Sequence, residues 1–519
     1  MLHAAHDFCL TRFTLCEIYI LCYLLKIQNS EIFIMRIAII HYHLRPGGVT
    51  KVIQNTLKAL EKSSLQFIVF TSESPSPTMP VPNHAIVEAL EYMQPSKTYP
   101  SARDVLKELH QKARNVLGGL PDVWHIHNHA LGKNVILPEL SALLAQEGQL
   151  LLLQPHDFAE DGRPENYSLL REHFGSAQLL GMQLYPQGHH IHYALLNQRD
   201  LRFLQAAGAC REQLHYLPNA IATENLSPGD LPQRQNISEK LYLYPGRAIR
   251  RKNIGEFLLW AALAESENLF ALTLAPQNPL AKPIYEQWVA FAQSLNLPVK
   301  FDFADQWQGD FNSLFASAHA LVSTSVAEGF GLAFLEPWLA GRPLLGRNLP
   351  EVTTAIEEAG VNLSALYARL DVPLAWVGKD QFIQEITLSV KHVYQAYGRT
   401  ASNDDIERAV AEAIHDKSVD FGKLNESLQQ FVIQYLVNAP AARQEIQPPT
   451  LCVSEPDPAM IRQNRQAVLE HFNLDIYGKR LMQLYQTVAD SEPETLNDIN
   501  ADALLTQFLA PERFCLLRT

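Results

Sequence analysis

Residues 325–336 read Ser-Val-Ala-Glu-Gly-Phe-Gly-Leu-Ala-Phe-Leu-Glu, with two carboxylates and a Gly-Phe-Gly turn after the first of them. The preceding residues 320–323, Ala-Leu-Val-Ser, predict a buried strand of a parallel sheet that opens into a loop. Helical composition follows, and Pro337 requires the regular helix to begin only a few residues before it. Glu328 is therefore predicted in a strand-to-helix loop and Glu336 near the start of the helix. Free amides at a helix start attract phosphate and sugar oxygens, so this stretch predicts a site for a polar ligand.

The length and composition of the chain indicate a soluble protein of two or more domains. A chain of 519 residues, 47% hydrophobic and 19% charged, can bury a full core in each domain. The net charge of -13 argues against non-specific binding to nucleic acid, so no such partner is expected. Contact with a membrane through a local basic patch is left open. Six cysteines without metal-ligand spacing predict free thiols in a reducing cytoplasm.

The first 34 residues differ in character from the rest of the chain. The apolar run at 18–25 is too short to span a bilayer. Asp7 and Glu17 are unusual for a signal peptide, and Met35 opens Met-Arg-Ile-Ala-Ile-Ile-His, which is typical of the start of a first strand. We interpret residues 1–34 as a mis-set start or a dispensable extension, with a membrane anchor as the alternative.

A glycine pair, Gly47-Gly48, lies between a predicted strand at 36–41 and an amphipathic helix at about 50–60. Glycines at this place let the backbone and the helix amides approach a ligand closely. A plain tight turn explains the pair equally well. Because no third glycine follows at the required spacing, the pair is not a dinucleotide fingerprint.

Predicted strands continue to alternate with helical segments along the first half of the chain, which indicates a parallel sheet with helices on both faces. Ligands of such sheets bind at the carboxyl ends of the strands. A helix is predicted at 102–116. The further strands of this half are predicted at 66–71, 123–127, 150–154 and 192–197.

Three alternating histidines, His125, His127 and His129, could put three imidazoles on one face of a strand as metal ligands. The chain is expected to leave the strand near Asn128, which favours solvated or cleft-lining histidines, and no metal site is predicted. His156 and Asp157 follow the next strand. A carboxylate can orient an imidazole or raise its pKa, so this pair is either functional or a loop pair without chemistry.

A second series of strands and helices follows a polar, proline-containing linker at 222–238. Its first strand, 240–244, runs into a basic turn, and Asn253 is predicted to cap a helix at 254–264. Guanidinium and ammonium groups after a strand suit a diphosphate, although a solvated basic turn is the simpler alternative. The four cations of this turn are Arg247, Arg250, Arg251 and Lys252. The later strands are predicted at 270–274, 299–303 and 320–323.

The glycine pair, the basic turn from Gly246 to Lys252 and the Glu-x7-Glu stretch occur in an order that resembles the retaining glycosyltransferases of family 4. The resemblance covers residues 35–351 and resumes near 420–422 and 460–488. It implies the GT-B fold, an α/β fold of two Rossmann-like domains facing a cleft. It also implies a hexosyltransferase that uses a nucleotide-sugar donor and acts with retention.

The resemblance also implies roles for individual residues. Arg247 and Lys252 would neutralise the donor diphosphate, Glu328 would contact the donor sugar, and Glu336 would bind the ribose hydroxyls. The catalytic set would also include His156 near the reacting sugar. Backbone groups around the donor would come from Gly47, Gly48, Phe330, Gly331 and Leu332. Neither a metal nor a cofactor other than the donor substrate is expected.

The expected organisation has an N-terminal acceptor domain at 35–222 and a donor domain at 239–458. A helical insertion at about 353–446 replaces the family's short glycine-rich return. A helix at 459–488 would then return to the N-terminal domain, and a tail at 489–519 is unassigned. The chain also has Pro-Asn-Ala at 218–220 where many relatives have Pro-Asn-Gly.

The leading hypothesis is a cytoplasmic glycosyltransferase that takes a UDP-, GDP- or ADP-sugar donor and a small soluble acceptor. One alternative is a GT-B enzyme of another class, either a sugar-nucleotide epimerase or a phosphorylase. The other is a non-catalytic protein that binds sugar nucleotides, which would be expected to lose Arg247, Lys252 or Glu328. The donor base and sugar, the acceptor and the oligomeric state are not determined by the sequence.

Overall fold

The first half of the chain forms a seven-stranded parallel sheet. The computed structural model describes residues 34–221, 239–264, 267–446 and 457–518, so the predicted linker and nearly all of the predicted extension lie outside the described residues. The strands of this half are β1 (Arg36–Ile40), β2 (Gln66–Thr71), β3 (His84–Ile86), β4 (Val123–His127), β5 (Leu151–Gln154), β6 (Pro186–Gln187), β7 (Ile191–Leu195) and β8 (Leu214–Tyr216). Its helices are α1 (Gly48–Ala59), α2 (Ala102–Leu117), α3 (Ile136–Gln146), α4 (Pro164–Phe174), α5 (Ala177–Leu184) and α6 (Gln198–Ala206).

The second half forms a six-stranded parallel sheet. Its strands are β9 (Lys240–Arg247), β10 (Asn268–Leu274), β11 (Val299–Lys300), β12 (Ala320–Ser323), β13 (Leu344–Arg347) and β14 (Leu366–Tyr367). Its helices are α7 (Ile254–Leu263), α8 (Lys282–Ser294), α9 (Phe303–Gln306), α10 (Phe311–Ser317), α11 (Glu336–Leu339) and α12 (Pro350–Glu358).

The two sheets share the strand order of doubly wound folds. The order is β3-β2-β1-β4-β5-β7-β8 in the first sheet and β11-β10-β9-β12-β13-β14 in the second. The direction of winding reverses between β1 and β4 and between β9 and β12. Ligands of such sheets bind outside the carboxyl ends of the strands at this reversal. The loops after these four strands are therefore the expected walls of a binding cleft.

The apolar runs of the sequence form these strands because both faces of each sheet are covered. All five residues of β4 are buried. Trp124 and Ile126 enter one hydrophobic core with helix α2, whereas Val123 enters a second core with residues of α1. A run buried on both faces needs no polar alternation. The predicted strands at 66–71, 123–127 and 320–323 agree with the structure to the residue.

One predicted strand and one predicted cap are wrong. The strand expected at 299–303 stops at Lys300, because Asp302 adopts a left-handed conformation (φ 52°) and the short helix α9 begins at the next residue. Asn253 does precede α7, but it also has a positive φ and its side chain makes no capping bond. Its amide instead donates to Glu256, at 2.8 Å.

The stretch after α12 combines helices with short strands. Its first strand, β14, pairs in parallel with β13 and so belongs to the main sheet. At two residues, this strand is too short for a sequence pattern to distinguish it from the predicted helical insertion at 353–446. The rest of the insertion consists of α13 (Leu374–Val377), α14 (Lys379–Ala396), α15 (Asn403–Ala413), α16 (Glu426–Asn438) and an antiparallel sheet of β15 (Asp371–Pro373), β16 (Ile414–His415) and β17 (Ser418–Asp420).

A buried arginine attaches the insertion to the second sheet. Arg347, at the end of β13, donates to Asp420 of β17 at 2.9 Å through two nitrogens and to Glu256 of α7 at 2.5 Å. All three side chains are nearly inaccessible to solvent. A Cβ at Gly422 would lie 2.5 Å from the guanidinium, so only glycine fits beside it. This one side chain therefore joins the sheet, a helix and the insertion.

The predicted single helix at 459–488 is two helices, α17 (Pro458–His471) and α18 (Leu474–Ala489). Asn473 separates them because its side chain accepts the amide of Ile476 at 2.8 Å and donates to Leu469 at 2.5 Å. Helix α17 packs against α11 of the second half, whereas α18 packs against α1 of the first. The pair thus crosses from one sheet to the other.

The unassigned tail folds back over both halves. Its strand β18 (Asn497–Asp498) pairs with β6, and its helix α19 (Ala501–Phe508) packs on α5 and α6. Beyond α19, Arg513 bonds Glu351 of the second half at 2.8 Å. Arg518 then bonds Asp161 of the first half, beside Arg199. We refer to these five charged residues as the inter-sheet ion cluster.

The buried attachment of the insertion yields a stability prediction. Arg347→Met is expected to lower the free energy of unfolding by about 3–5 kcal/mol, because two carboxylates would stay buried without their partner. Arg369→Met is the matched control, since its pair with Asp371 is partly exposed (29% and 38%) and should contribute less than about 1 kcal/mol. Urea unfolding followed by circular dichroism measures both variants. Equal losses would contradict the role given to Arg347.

Candidate functional site

Two loops meet at the carboxyl ends of β9 and β12, where the second sheet reverses its winding. The amide of Val326 donates to the carbonyl of Arg251 at 2.9 Å. The hydroxyl of Thr324 donates to the carbonyls of Lys252 and Asn253 at 3.0 and 2.9 Å. From β9 itself, the Tyr244 hydroxyl also bonds the Lys252 carbonyl, at 2.9 Å. The basic turn and the first carboxylate of the Glu-x7-Glu stretch are therefore held against each other.

Glu328, whose side chain is nearly buried, forms two ion pairs across these loops, one with the mostly buried Lys252 and one with the partly exposed Arg251. One carboxylate oxygen accepts from Lys252 Nζ at 2.5 Å, and the other accepts from Arg251 Nη1 at 2.6 Å. Ser325 Oγ donates to the first oxygen at 2.6 Å. Burial alone would raise the pKa of Glu328, but the attraction of the two cations outweighs it and lowers the pKa to about 2. The carboxylate is therefore ionised at neutral pH and serves as a hydrogen-bond acceptor, not as an acid.

The four cations of the basic turn have different surroundings. Lys252 and Arg251 contact Glu328, whereas Arg250 points to the insertion and bonds Glu426 at 2.6 Å. Arg247 ends β9 as an exposed residue. Of the two cations predicted to bind the diphosphate, Lys252 contacts Glu328 in the structure, whereas Arg247 does not. Arg251 takes that place, and the diphosphate roles of Arg247 and Lys252 stay predictions.

Glu336 occupies the first position of α11, with Pro337 after it. Its location near a helix start agrees with the sequence prediction, and the helix is only four residues long. Burial raises the pKa of Glu336 to about 7, although the charge of Lys252 acts in the opposite direction. The two glutamates therefore differ in charge state near neutral pH. A ligand that donates hydrogen bonds to Glu336 would favour its ionised form.

The residues between the two glutamates form a tight turn. Gly331 adopts a positive φ of 85°, and a Cβ there would lie 2.7 Å from Phe334 and Val352, so this position requires glycine. Phe330 is buried in the core, which leaves its backbone as the part that can face a ligand. Leu332 is 41% exposed. The donor-binding roles predicted for these three residues stay predictions.

The first half of the chain contacts this turn directly. Asn197 Nδ2 donates to the carbonyl of Gly329 at 2.9 Å, and a Cβ on Gly329 would lie 3.9 Å from the carbonyl of His156. The end of β5 and the residue before α6 thus face the Glu-x7-Glu stretch across a narrow gap. The loops after β5 and β7 of the first sheet therefore lie beside the winding reversal of the second sheet.

The glycine pair lies on the first-half side of the cleft. Gly47 is extended (φ 178°), and Gly48 is the first residue of α1. Neither residue has a positive φ, and a Cβ on Gly48 would meet no atom within 4 Å. Backbone conformation therefore does not require glycine at Gly48. The open space beside it is compatible with both alternatives, so the ligand-binding role of the pair stays a prediction.

The three alternating histidines do not converge on a common point, and all three are fully buried. His125 bonds the Tyr485 hydroxyl at 2.8 Å, and His129 bonds the carbonyl of Leu184 at 2.9 Å. The expectation that they are solvated is wrong, because α18 covers His125 and the end of α5 covers His129, whereas the cleft-lining alternative stays a prediction. Asn128 adopts a left-handed conformation (φ 62°) and ends the strand where the sequence indicated. Within the described part of the chain, no cluster of three or more potential ligands could hold a metal ion.

His156 contacts His127 and not its sequence neighbour. Its Nε2 lies 2.9 Å from Nδ1 of His127, whereas Asp157 pairs with Arg163 at 2.5 Å. Burial lowers the pKa of His156 to about 4, and the nearby Asp157 offsets this only in part. Asp157 therefore raises the pKa of His156, as the sequence suggested, but burial outweighs this effect and the net shift is downward. The neutral imidazole of His156 follows the end of β5 and is partly exposed, so it can hydrogen-bond a ligand.

Sequence reasoning did not identify several residues that build the site. Asn197 gave no signal, and His127 was noted only as one of three alternating histidines, because each acts through a partner that is distant in the sequence. Arg251 was one of four adjacent cations, and no spacing rule distinguished it from its neighbours. Tyr244 and Ser325 were interpreted as strand and loop residues. Their contacts depend on the pairing of neighbouring strands and not on a local motif.

Two doubly wound parallel sheets whose loops contact each other define the class of fold as GT-B. The structure is similar to Anabaena HepE in complex with UDP-glucose, with a TM-score of 0.50 and 12% identity over 87% of this chain and 100% of that chain. It is similar to HepE in complex with UDP at a TM-score of 0.50 and 13% identity, with coverage of 87% and 100%. At this identity the likeness shows the fold alone. The predicted GT-B fold is confirmed.

One protein of known name is similar to this chain in sequence. No protein-family model matches the chain. The chain is 29% identical over 334 residues to the mannosylglucosyl-3-phosphoglycerate synthase of Petrotoga mobilis. The match covers 60% of this chain and 64% of that protein, which is less than two thirds of the relative's length. Among the helices of the described ranges, none is both long enough and apolar enough to cross a membrane.

The buried histidines predict an acid-sensitive fold. Burial lowers the pKa of His41 to about 3, so the unfolded chain binds this proton more tightly and acidification favours unfolding. Between about pH 8 and about pH 5, this one histidine should cost about 2 kcal/mol of stability. His41→Phe is expected to reduce the stability lost over this interval by that amount. His392→Phe, at an exposed position, is the control, and an equal reduction there would contradict the assignment.

Proposed function

We propose that the chain is a glycosyltransferase that binds a nucleotide-diphosphate sugar in the cleft and transfers its hexose, with retention, to a small soluble acceptor. The observation that carries the proposal is the joined pair of loops that sets Arg251, Lys252 and Glu328 at the winding reversal of a GT-B sheet. This arrangement combines two cations for a diphosphate with a carboxylate for sugar hydroxyls.

The two cations suit the leaving group of the reaction. Arg251 and Lys252 carry two positive charges against one negative charge on Glu328, so one net positive charge is left to attract a phosphate. Preorganised charges stabilise negative charge that develops on a leaving group without reorganising in the transition state. Arg247, exposed at the end of β9, would add a second contact to the diphosphate. Glu336 would accept hydrogen bonds from the ribose hydroxyls.

The proposed transfer exchanges one bond for another at the anomeric carbon. The bond from C1 of the sugar to the diphosphate oxygen breaks, and C1 bonds to an acceptor oxygen on the same face. The acceptor hydroxyl proton passes to the departing phosphate oxygen. In this scheme Glu328, held ionised by its two cations, orients the sugar. His156 hydrogen-bonds an oxygen near the reacting carbon.

The acceptor proposal uses the sequence relative and the charges near β1. The name of the Petrotoga mobilis protein describes the synthesis of a mannosylated glucosyl-3-phosphoglycerate. Arg45 and Arg163 both lie close enough to Tyr92 to influence its pKa. Each is paired with a carboxylate in this structure, and either could exchange that partner for an anionic ligand. We propose an acceptor of the same chemical class, a small glycoside that carries carboxylate or phosphate groups.

Donor binding tests the proposal directly. A thermal-shift panel of UDP-, GDP- and ADP-sugars should show a rise in melting temperature with at least one donor, because a ligand that binds the folded state stabilises it. UDP-glucose and GDP-mannose are suitable representatives. The free monosaccharides serve as controls, since they lack the diphosphate. No response to any sugar nucleotide would favour a protein that does not bind nucleotide sugars.

Substitution of the ion pairs tests the catalytic part. Lys252→Ala and Glu328→Gln are each expected to lower kcat for sugar transfer at least about 100-fold, because each removes a preorganised contact to the donor. Circular dichroism should show an intact fold, since Arg251 still occupies the loop. Lys282→Ala is the matched control at an exposed ion pair and should retain activity. Full activity in either site variant would refute the assignment.

A further inference from the structure

His127 and His156 form a hydrogen bond between two neutral imidazoles. The Nδ1 atom of His127 lies 2.9 Å from Nε2 of His156. The rings are nearly parallel, with an interplanar angle of 14° and a centroid distance of 5.2 Å. Burial lowers the pKa of both imidazoles, so neither is charged near neutral pH. One ring must therefore donate the single shared proton and the other must accept it.

The other nitrogen of His127 decides which ring donates. Its Nε2 is buried and has no hydrogen-bond partner among the residues that the structure describes. If Nδ1 accepted the proton, Nε2 would carry a buried N–H with no acceptor. A buried N–H without a partner is rarer in proteins than an acceptor with an unused lone pair. The favoured state therefore has the proton of His127 on Nδ1, where it is donated to His156.

Neighbouring groups hold His127 in this orientation. The ring of His125 lies 4.2 Å away, centroid to centroid, and is itself fixed between Tyr485 and Gln154 at 2.8 and 2.9 Å. The ring of His41 lies 6.4 Å from that of His127, centroid to centroid, in an edge-to-face arrangement. His127 is completely buried, whereas His156 is partly exposed at the cleft. Rotation of His127 is therefore blocked, and its donated proton has a fixed direction.

We propose that His127 is a positioning residue that fixes the tautomer of His156. Because Nε2 of His156 accepts the proton of His127, His156 carries its own proton on Nδ1. His156 then offers the cleft a hydrogen-bond donor and has no lone pair there with which to deprotonate an acceptor hydroxyl. The identity of its target as a sugar or acceptor oxygen rests on the proposed function, whereas the tautomer does not.

Long-range 1H–15N NMR of the full chain labelled at histidine nitrogens tests the tautomer without any substrate. The signals of His156 are assigned by their loss in His156→Gln. In the native protein, His156 should show a protonated Nδ1 and an unprotonated Nε2. The reverse pattern, with the proton on Nε2, would overturn the proposal whether or not the protein transfers a sugar.

Two substitutions of His127 distinguish a positioning role of its side chain from a packing role. His127→Asn keeps an N–H near the place of Nδ1, whereas His127→Leu has a similar volume and no donor. The Asn variant should retain the Nδ1–H form of His156, and the Leu variant should lose it. With a donor found by the thermal-shift panel, kcat of the Leu variant should fall about tenfold or more below that of the Asn variant, with KM for the donor little changed. Identical tautomers and identical kcat values in the two variants would refute the positioning role.

Discussion

The joined loops after β9 and β12 depend on one buried carboxylate. Glu328 is 7% exposed and holds Arg251 and Lys252 at hydrogen-bonding distance. Both cations attract this carboxylate, and the bonds of Val326 and Thr324 join the same two loops, so the loss of one cation leaves the carboxylate paired with the other. The basic turn and the Glu-x7-Glu stretch must therefore keep their relative positions whenever both are folded. A phosphate-binding element and a sugar-binding element are thereby built as one unit.

The cleft has a second wall whose position depends on contacts from the end of the chain. Helices α17 and α18 cross between the sheets, and the tail beyond α19 returns to both of them. In the inter-sheet ion cluster, Arg513 pairs with both Asp161 and Glu351, which belong to different halves, and Arg518 pairs with Asp161. The distance from Asn197 to Gly329 is thus maintained by residues far from both loops. Direct contacts between the two halves add to this, because Arg199 donates to Glu351 at 3.3 Å and the amide of Arg163 donates to the Tyr397 hydroxyl at 2.6 Å.

The sequence was most informative where a local pattern has one physical solution. Continuous apolar runs such as 123–127 predicted buried strands to the residue, and the resemblance predicted the fold that the comparison confirmed. The sequence was least informative about contacts that depend on which strands are neighbours in the sheet. His127 and His156 are in contact because β4 pairs with β5, and Arg251 meets Glu328 because β9 pairs with β12. The break at Asn473 was missed because a side-chain bond to the backbone interrupts an otherwise helical composition.

The hydrogen bond from Tyr485 to His125 has a practical consequence. The hydroxyl belongs to α18, near the end of the chain, and the imidazole lies in the centre of the first sheet. A fragment that ends near residue 221 would carry every strand of that sheet but would expose the face that α18 covers. The first half alone is therefore expected to be less stable than it is in the whole chain, although its sheet is continuous in sequence. A separately expressed first half is expected to need helix α18 as well. The helix can be co-expressed as a peptide or joined to the first half in a circularly permuted chain.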